Sequence, residues 1–413
     1  MSYCDAPGLM PLDIALEKMQ SSVKCIARTE SVLLENALDR ILSEDIVSPI
    51  MVPGYNNSAM DGYALRACDL QDTNTLELIG KSFAGAAFSG KLNTGQCVRI
   101  MTGAEMPSGT DTVVMQEKTA ARDRTVTFLD TPKQGSNVRL AGNDIGCGDL
   151  LLQMGRRLSP TDIGLLASIG LAQVKVYCPI KVGLFSSGDE LRLPGQPLQQ
   201  GCIYDSNRFV IAAMLKRLGC EVLNLGIIAD NPALLQQAFE LACDQCDAVI
   251  SSGGVSVGEA DYTKEVLDEL GEINFWKLAI KPGKPFAFGH IERQHKQTVF
   301  FGLPGNPVSA TVTFHRLALP CLQIISGESL TESLTLTLPV NGALKKRPGR
   351  TDFQRGKLKI TEQGLTADSS GTQSSGMLTS MSNSNCYIIL ENERSSVEAG
   401  EQVTVEPYDR WLS

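Results

Sequence analysis

The sequence predicts a multidomain α/β plus β protein built around a central wound α/β domain, and three patterns carry that expectation. Between about residues 178 and 325, short apolar runs alternate with helix-period segments, the pattern of parallel strands joined by helical crossovers. Before and after that stretch lie short alternating runs broken by Gly, Pro and Asn, which read as small β domains. A chain of 413 residues also exceeds what one ordinary core organises.

Taken in order, Leu12–Leu16 and Val32–Leu38 carry apolar residues at helical spacing with a polar break between them, so two helices are expected over 12–43. From Val47 to about Val138, runs such as Val98–Met101 and Val113–Met115 alternate in the manner of strands and predict a small β domain, a barrel or a sandwich. Residues 143–178 include a helix expected from Pro160 to Ile169; packing beside the first two helices, this segment would make the β domain an insertion. The α/β region follows, with strands expected at Val182–Phe185, Val222–Ile228, Ala248–Ser251, Ile273–Ile280, Phe286–Phe288 and Val299–Leu303. Its helices are expected at Arg208–Leu218, Pro232–Ala242 and Tyr262–Leu270, with another from Val308. Leu334–Leu338 and Tyr387–Leu390 then alternate as strands of a final small β domain.

Composition narrows the function classes. A net charge of −9 lacks the broad basic footprint of a nucleic-acid binder. No apolar run approaches the about 18 residues of a membrane span, and Met1–Leu12 has no leader pattern, so a cytoplasmic protein without a membrane role is expected. The 12 scattered cysteines read as reduced thiols, with Cys243 and Cys246 as buried thiols on a helix rather than a zinc half-site. Basic islands at Lys277–Lys296 and Lys345–Lys357 are candidate anion sites in an otherwise acidic chain.

In an open α/β sheet the ligand lies beyond the carboxyl ends of the strands. There the sequence offers Ser186-Ser-Gly-Asp-Glu190, Ala229-Asp230, Ser251-Ser-Gly-Gly-Val-Ser-Val-Gly-Glu-Ala-Asp261 and Leu303-Pro-Gly-Asn-Pro307. The glycines at 253, 254 and 258 ahead of a helix form a nest of N–H donors for phosphate. It is not a Walker loop, because Glu259 follows Gly258. Glu190, Asp230 and Asp261 would converge at this edge, and carboxylates beside a phosphate site ordinarily hold Mg²⁺. The plainer alternatives are an N-cap for Asp261 and a solvated loop acid for Glu190.

In Trp276-Lys-Leu-Ala-Ile-Lys-Pro-Gly-Lys-Pro285, a continuous strand would put Lys277 and Lys281 on one face, while Pro282 and Pro285 fix the turn presenting Lys284. In the β region, Pro53–Tyr63 is the most unusual stretch. On local chemistry alone Asp61-Gly62 reads as a hairpin turn, and Thr102-Gly103 and Arg139–Asp144 are also turn-like.

Together these segments resemble the molybdopterin molybdenumtransferase family, whose members insert molybdate into adenylylated molybdopterin during molybdenum-cofactor biosynthesis. The resemblance rests on Ser58-Ala-Met-Asp-Gly-Tyr-Ala64, Met101-Thr-Gly-Ala104, Ser186–Glu190, Ser251–Gly258 with Asp261, Lys281-Pro-Gly-Lys-Pro285 and Leu303-Pro-Gly-Asn-Pro-Val-Ser309. It implies an elongated, helical discontinuous domain over 1–50 and 143–178, an inserted β domain over 51–142, the molybdopterin-binding α/β domain over 179–327, and a C-terminal β-barrel over 328–413. It implies a homodimer as well, with a cleft in which Asp61 and Thr102 act in trans.

Carried over by residue, the resemblance implies Asp61, Thr102, Glu190, Asp230, Asp261, Lys277 and Lys281 as catalytic, with Glu190, Asp230 and Asp261 on Mg²⁺. Ser187, Gly188, Ser252, Gly253, Gly254, Ser256, Gly258, Pro304, Gly305, Asn306, Pro307, Arg139 and Asp144 are implied on the pterin substrate. Lys281, Lys284, Pro285, Arg350 and Ser375 are implied on molybdate, with Arg355 as the alternative arginine and Ser374 as the alternative serine. A molybdopterin adenylyltransferase and other cofactor-pathway proteins are the implied partners. Two other readings are a molybdopterin adenylyltransferase itself, against which the flanking β domains argue, and a receptor-anchoring scaffold, against which the absence of a long linker argues.

Overall fold

The fold was obtained as a computed structural model that describes residues 8–254, 262–362 and 364–413. Two compact units form: residues 1–30, 39–41 and 176–413 in the first, and 31–38 and 42–175 in the second.

The first unit begins with helix α1, Leu12–Ser22. Its α/β part runs β1 (Lys181–Ser187), α2 (Asn207–Leu218), β2 (Glu221–Ile228), α3 (Pro232–Gln245), β3 (Ala248–Ser252), α4 (Tyr262–Leu270) and β4 (Gly271–Lys277). A two-residue strand β5 (Ile280–Lys281) follows, then β6 (Pro285–Arg293), β7 (Lys296–Leu303) and α5 (Pro307–Thr313). The main sheet has the order β2-β1-β3-β7-β6-β4, parallel from β2 to β7 and antiparallel across β6 and β4.

Strand alternation explains its burial on both faces. Val182, Leu184, Ala248, Ile250, Phe301 and Leu303 point into a core shared with α2, α1 and the Pro307–Ile325 helix. Phe185, Val249 and Phe300 point into the opposite core, with Leu235 and Phe239 of α3. Gly183 lets α3 come close, since a Cβ there would lie 2.9 Å from the Ala242 Cβ. Cys243 and Cys246 are buried thiols, each pushed up to about 11 chiefly by burial.

The helical stretch Pro307–Ile325, 19 residues, is apolar and long enough to cross a membrane by length and composition. It is 78% buried within the domain, as a central core helix would be. The unit also contains a sheet of β8 (Leu336–Pro339), β9 (Thr351–Thr361), β10 (Gly364–Ser369), β11 (Cys386–Leu390) and β12 (Gln402–Pro407), ordered β5-β9-β11-β12-β8 with β10 beside β9. Its edges meet where Val340 bridges Ala367.

The second unit contains a six-stranded sheet ordered Thr112–Met115, Gly62–Leu65, Gln96–Ile100, Thr75–Ser82, Thr125–Phe128 and Thr119–Arg122. Its helix Pro160–Ser168 starts with a capping box, Ser159 and Asp162 each accepting from the other's backbone N–H.

Two local expectations change. The second helix expected over 12–43 is absent: Thr29–Leu33 is a strand paired with Gln173–Tyr177, followed by a 3₁₀ turn at Leu34–Asn36. One stretch of seven residues fits both periods, and long-range pairing decides it. Asp61-Gly62 is not a hairpin turn either. Gly62 opens an interior strand, flanked by Gln96–Ile100 and Thr112–Met115, where a Cβ would collide with the Val114 carbonyl.

Candidate functional site

The strand order places a topological switch between β1 and β3: the chain leaves β1 toward β2 on one side and returns to β3 on the other. Loops diverge at such a point and open a crevice. Ser187, Gly188, Ser252, Gly253 and Gly254 stand at it, as the sequence led one to expect.

The crevice is too tight for side chains at its glycines. A Cβ on Gly253 (φ +90°) would lie 2.5 Å from the Ser187 carbonyl oxygen. One on Gly254 (φ +66°) would lie 2.8 Å from Ser187 Oγ and collide with Thr263 Oγ1. The Gly253 N–H donates to the Leu303 carbonyl at 3.1 Å, tying the β3 loop to the end of β7. Asn207, at the start of α2, ties the loops a second time: its Nδ2 donates to Ser252 Oγ at 2.8 Å and to the Gly305 carbonyl at 2.7 Å. Among the described residues, Ser187 Oγ, Ser251 Oγ and Asn207 Oδ1 are buried without a hydrogen-bond partner. Buried polar atoms left open beside a glycine-lined crevice mark where a ligand's polar groups belong. Ser256, Gly258 and Asp261 lie outside the described residues.

The acidic edge holds Asp189, Glu190 and Asp230, all exposed. The Asp230 N–H donates to Asp189 Oδ1 at 3.2 Å, and the Glu190 carboxylate folds back over Gly188, 2.6 Å from where a Cβ would stand. The Asp230 carboxyl is held above its ordinary range by partial burial, then by the charges of Asp189 and Glu190. The sequence singled out Glu190 and Asp230, which the fold brings together, but not Asp189 beside them, whose adjacency to Glu190 was the available signal. Asn207 was missed as well, although Asp205-Ser206-Asn207 before a helix is a run of capping residues.

The lysines are arranged differently from expectation. The strand ends at Lys277, which pairs Pro285, and the Leu278 N–H closes the loop by donating to the Lys284 carbonyl at 2.7 Å. Lys281 instead belongs to β5, in parallel register with Asp352 of β9. Lys277 and Lys281 therefore sit in two sheets, and the period-of-two argument fails because the chain bends between them. Lys277 and Lys284 are exposed, while Lys281 Nζ bonds Asp352 Oδ2 at 3.0 Å.

This loop rests on the last turn of α5: a Cβ on Gly283 (φ +111°) would come within 2.5 Å of Thr313 Cγ2 and 3.7 Å of the Ser309 carbonyl oxygen. At the other end of α5 the Ser375 carbonyl accepts from the Val308 N–H at 3.0 Å. The 281–285 loop and the Ser375 segment thus both pack on the short helix α5, one at each end, with Pro304–Pro307 leading into it. Arg350 is half-buried just before β9. Arg355 is wholly buried; its guanidinium donates to Ser380 Oγ at 3.1 Å and to the Phe353 and Ser374 carbonyls at 3.2 and 3.3 Å. It therefore braces the 374–380 segment from inside, which leaves Arg350 as the surface arginine.

In the second unit, Thr102 donates to Asp61 Oδ1 twice, from N–H and Oγ1, both at 2.8 Å. These bonds, backbone first, hold the Asp61 carboxyl below its ordinary range, aided by Arg99. Gly103 (φ +80°) makes the expected turn. Arg139 and Asp144 are both exposed, Arg139 in register with Asn57.

As a cation site the acidic edge has suitable chemistry: hard oxygen donors with uncompensated mutual repulsion. Among the described residues no three acids or histidines stand close enough to hold an ion as placed.

A switch-point crevice, an acidic edge and a lysine loop, in a chain with additional β domains before and after the α/β domain, are the features of a multidomain enzyme. Three family descriptions cover the chain: the MoeA N-terminal region (domains I and II) over residues 10–170, a probable molybdopterin binding domain over 183–324, and the MoeA C-terminal region (domain IV) over 337–408. A molybdopterin molybdenumtransferase of Haemophilus influenzae is 49% identical across 98% of this chain and all of its own length. One of Nostoc is 38% identical over 91% of this chain and 88% of its own. Two crystal structures of a molybdopterin biosynthesis MoeA protein from Pyrococcus horikoshii superpose with TM-scores of 0.81 and 0.84 at 32% and 26% identity. They span 98% and 97% of this chain and the whole of theirs. The chain belongs to the molybdopterin molybdenumtransferase family.

Proposed function

We propose that the protein inserts molybdenum into molybdopterin, taking molybdate and adenylylated molybdopterin and releasing AMP. The observation that carries the proposal is the crevice between β1 and β3, lined by Gly253 and Gly254, where Ser187 Oγ, Ser251 Oγ and Asn207 Oδ1 have no partner among the described residues. Its narrowness and open polar atoms suit a phosphate, to which the serine hydroxyls can donate, and a flat heterocycle, from which Asn207 Oδ1 can accept; the Gly305–Pro307 turn, clamped to it by Asn207, extends the same surface.

In this reading Glu190, Asp230 and Asp261 hold Mg²⁺, which when bound neutralises charge on the leaving phosphate. Asp189 adds to the negative field that attracts the cation. Molybdate, a tetrahedral dianion, is taken by Lys281, Lys284 and Arg350 with the Ser375 hydroxyl, since ammonium and guanidinium groups match oxyanion geometry. The dithiolene sulfurs of the substrate supply the soft ligands that molybdenum prefers, so the protein's task is positioning. The family resemblance adds a cytoplasmic homodimer in which Asp61 and Thr102 serve a partner copy.

The test is direct. Purified protein given adenylylated molybdopterin, Mg²⁺ and molybdate should release AMP, and the intermediate should persist when molybdate is withheld. Synthesis of adenylylated molybdopterin from molybdopterin and ATP by this protein would instead support the adenylyltransferase reading.

A further inference from the structure

We infer that Asp352 is a positioning residue for Lys281, fixing the molybdate lysine from the C-terminal sheet; the inference rests on the molybdate site proposed above. Lys281 and Asp352 are register partners across the β5–β9 pair, so their backbones are locked before their side chains meet. The ion pair is asymmetric. Asp352 is buried, its side chain 4% exposed, whereas that of Lys281 is 42% exposed. The carboxylate is therefore the fixed member and the ammonium the one held.

The fixing is reinforced from behind. Gln354 Nε2 donates to the same Asp352 oxygen at 3.2 Å and to the Lys345 carbonyl at 3.0 Å. Lys346, buried nearby, attracts the carboxylate by its charge but spends its hydrogen bonds elsewhere: its Nζ donates to the carbonyls of Arg347, Asn392 and Arg394 at 3.2, 3.3 and 3.1 Å. Among the described residues Asp352 Oδ1 has no hydrogen-bond partner. A buried carboxylate whose one bonded oxygen is shared between Gln354 and a half-exposed lysine carries a desolvation cost that the ion pair with Lys281 offsets only in part.

A lysine on a four-carbon stem scatters its charge over many rotamers unless something holds it. Asp352 selects one of them and leaves the exposed side of the ammonium to receive an oxyanion. A bare electrostatic account predicts the reverse sign, because a carboxylate beside an anion site should repel the anion. The two accounts can therefore be separated by one neutral substitution of nearly equal volume.

The experiment uses the full chain with Asp352→Asn, Lys281→Ala and the double variant, folding checked by thermal melting. Molybdate is the probe, in equilibrium titration and in steady-state AMP release. Positioning predicts that Asp352→Asn raises the molybdate KM about tenfold while kcat and the pterin KM change little, an effect confined to the bound anion. It also predicts that Asp352→Asn adds nothing to molybdate binding once Lys281 is alanine. A lowered or unchanged molybdate KM in Asp352→Asn, or equal losses in both backgrounds, would overturn the inference alone. A Lys281→Ala protein that behaves as wild type would remove the molybdate-site reading and this inference with it.

Discussion

Asp61 and Asp230 are the same residue type in opposite electrostatic situations. Asp61 accepts two bonds from Thr102 and is held below the usual carboxylate range, its charge already accommodated by its own domain. Asp230 is pushed upward by partial burial and by Asp189 and Glu190, with one backbone bond in compensation. The first is a finished structural unit that presents a fixed anion. The second is an unfinished one whose negative charge calls for a cation.

The largest expected effect is on turnover. Asp230→Ala and Lys281→Ala should each lower molybdate-dependent AMP release by at least about a hundredfold, the scale of losing one charge-stabilising group. Circular dichroism should show both variants folded. Wild-type turnover in either would break the assignment of the unfinished centre as the reactive one.

Next is the scaffold behind the finished centre. Gly62→Ala forces a methyl into the Val114 carbonyl and should cost about 3 kcal/mol in urea unfolding, the upper range for overpacking. An unaltered midpoint would mean that the strand beside Asp61 yields more readily than its geometry implies.

Mg²⁺ should separate the two centres. At a hundredfold excess over its Kd it should stabilise wild-type protein by about 2.7 kcal/mol, by mass action on the folded state. Asp230→Asn should shrink that gain and Asp61→Asn should leave it intact, as read by melting temperature against Mg²⁺ concentration. Equal gains in all three proteins would place the cation elsewhere.

Without the cation the substitutions should differ in sign. Asp230→Asn relieves repulsion and should melt slightly higher than wild type, while Asp61→Asn loses charge-assisted bonds and should melt lower. A shift in the same direction for both would erase the contrast drawn above.

The smallest effect is with pH. Because folding depresses the Asp61 carboxyl, its contribution is present above the unfolded value near about 3.9 and is lost as pH falls through the folded one. Thr102→Val should therefore be less stable than wild type at neutral pH, and the gap should close in acid. A gap that persists below the folded value would point to packing instead of the two hydrogen bonds.

Much of the α/β domain was legible because its signals are local. Val182, Leu184 and Phe185 alternate between two cores, Pro232 and Asn231 mark a helix start, and glycines at 253 and 254 occupy left-handed turns. Ser187, Glu190 and Asp230 follow from the rule that ligands meet the carboxyl ends of strands. Arg355 was not legible in this way: nothing in its neighbours in sequence says that it is wholly buried against Ser374 and Ser380.

The sequence by itself determined the alternation of strands and helices, the position of the crevice loops and the family to which they belong, since periodicity, caps and turn glycines act over a few residues. Tertiary structure alone decided that Thr29–Leu33 is a strand, that Gly62 lies inside a sheet, and that Lys281 leaves the strand of Lys277 to pair with β9. It also decided which carboxylates stand unopposed and that Asp352 holds Lys281. Each of these depends on partners tens to hundreds of residues away, and pairings at that range are set by burial and register in the folded chain.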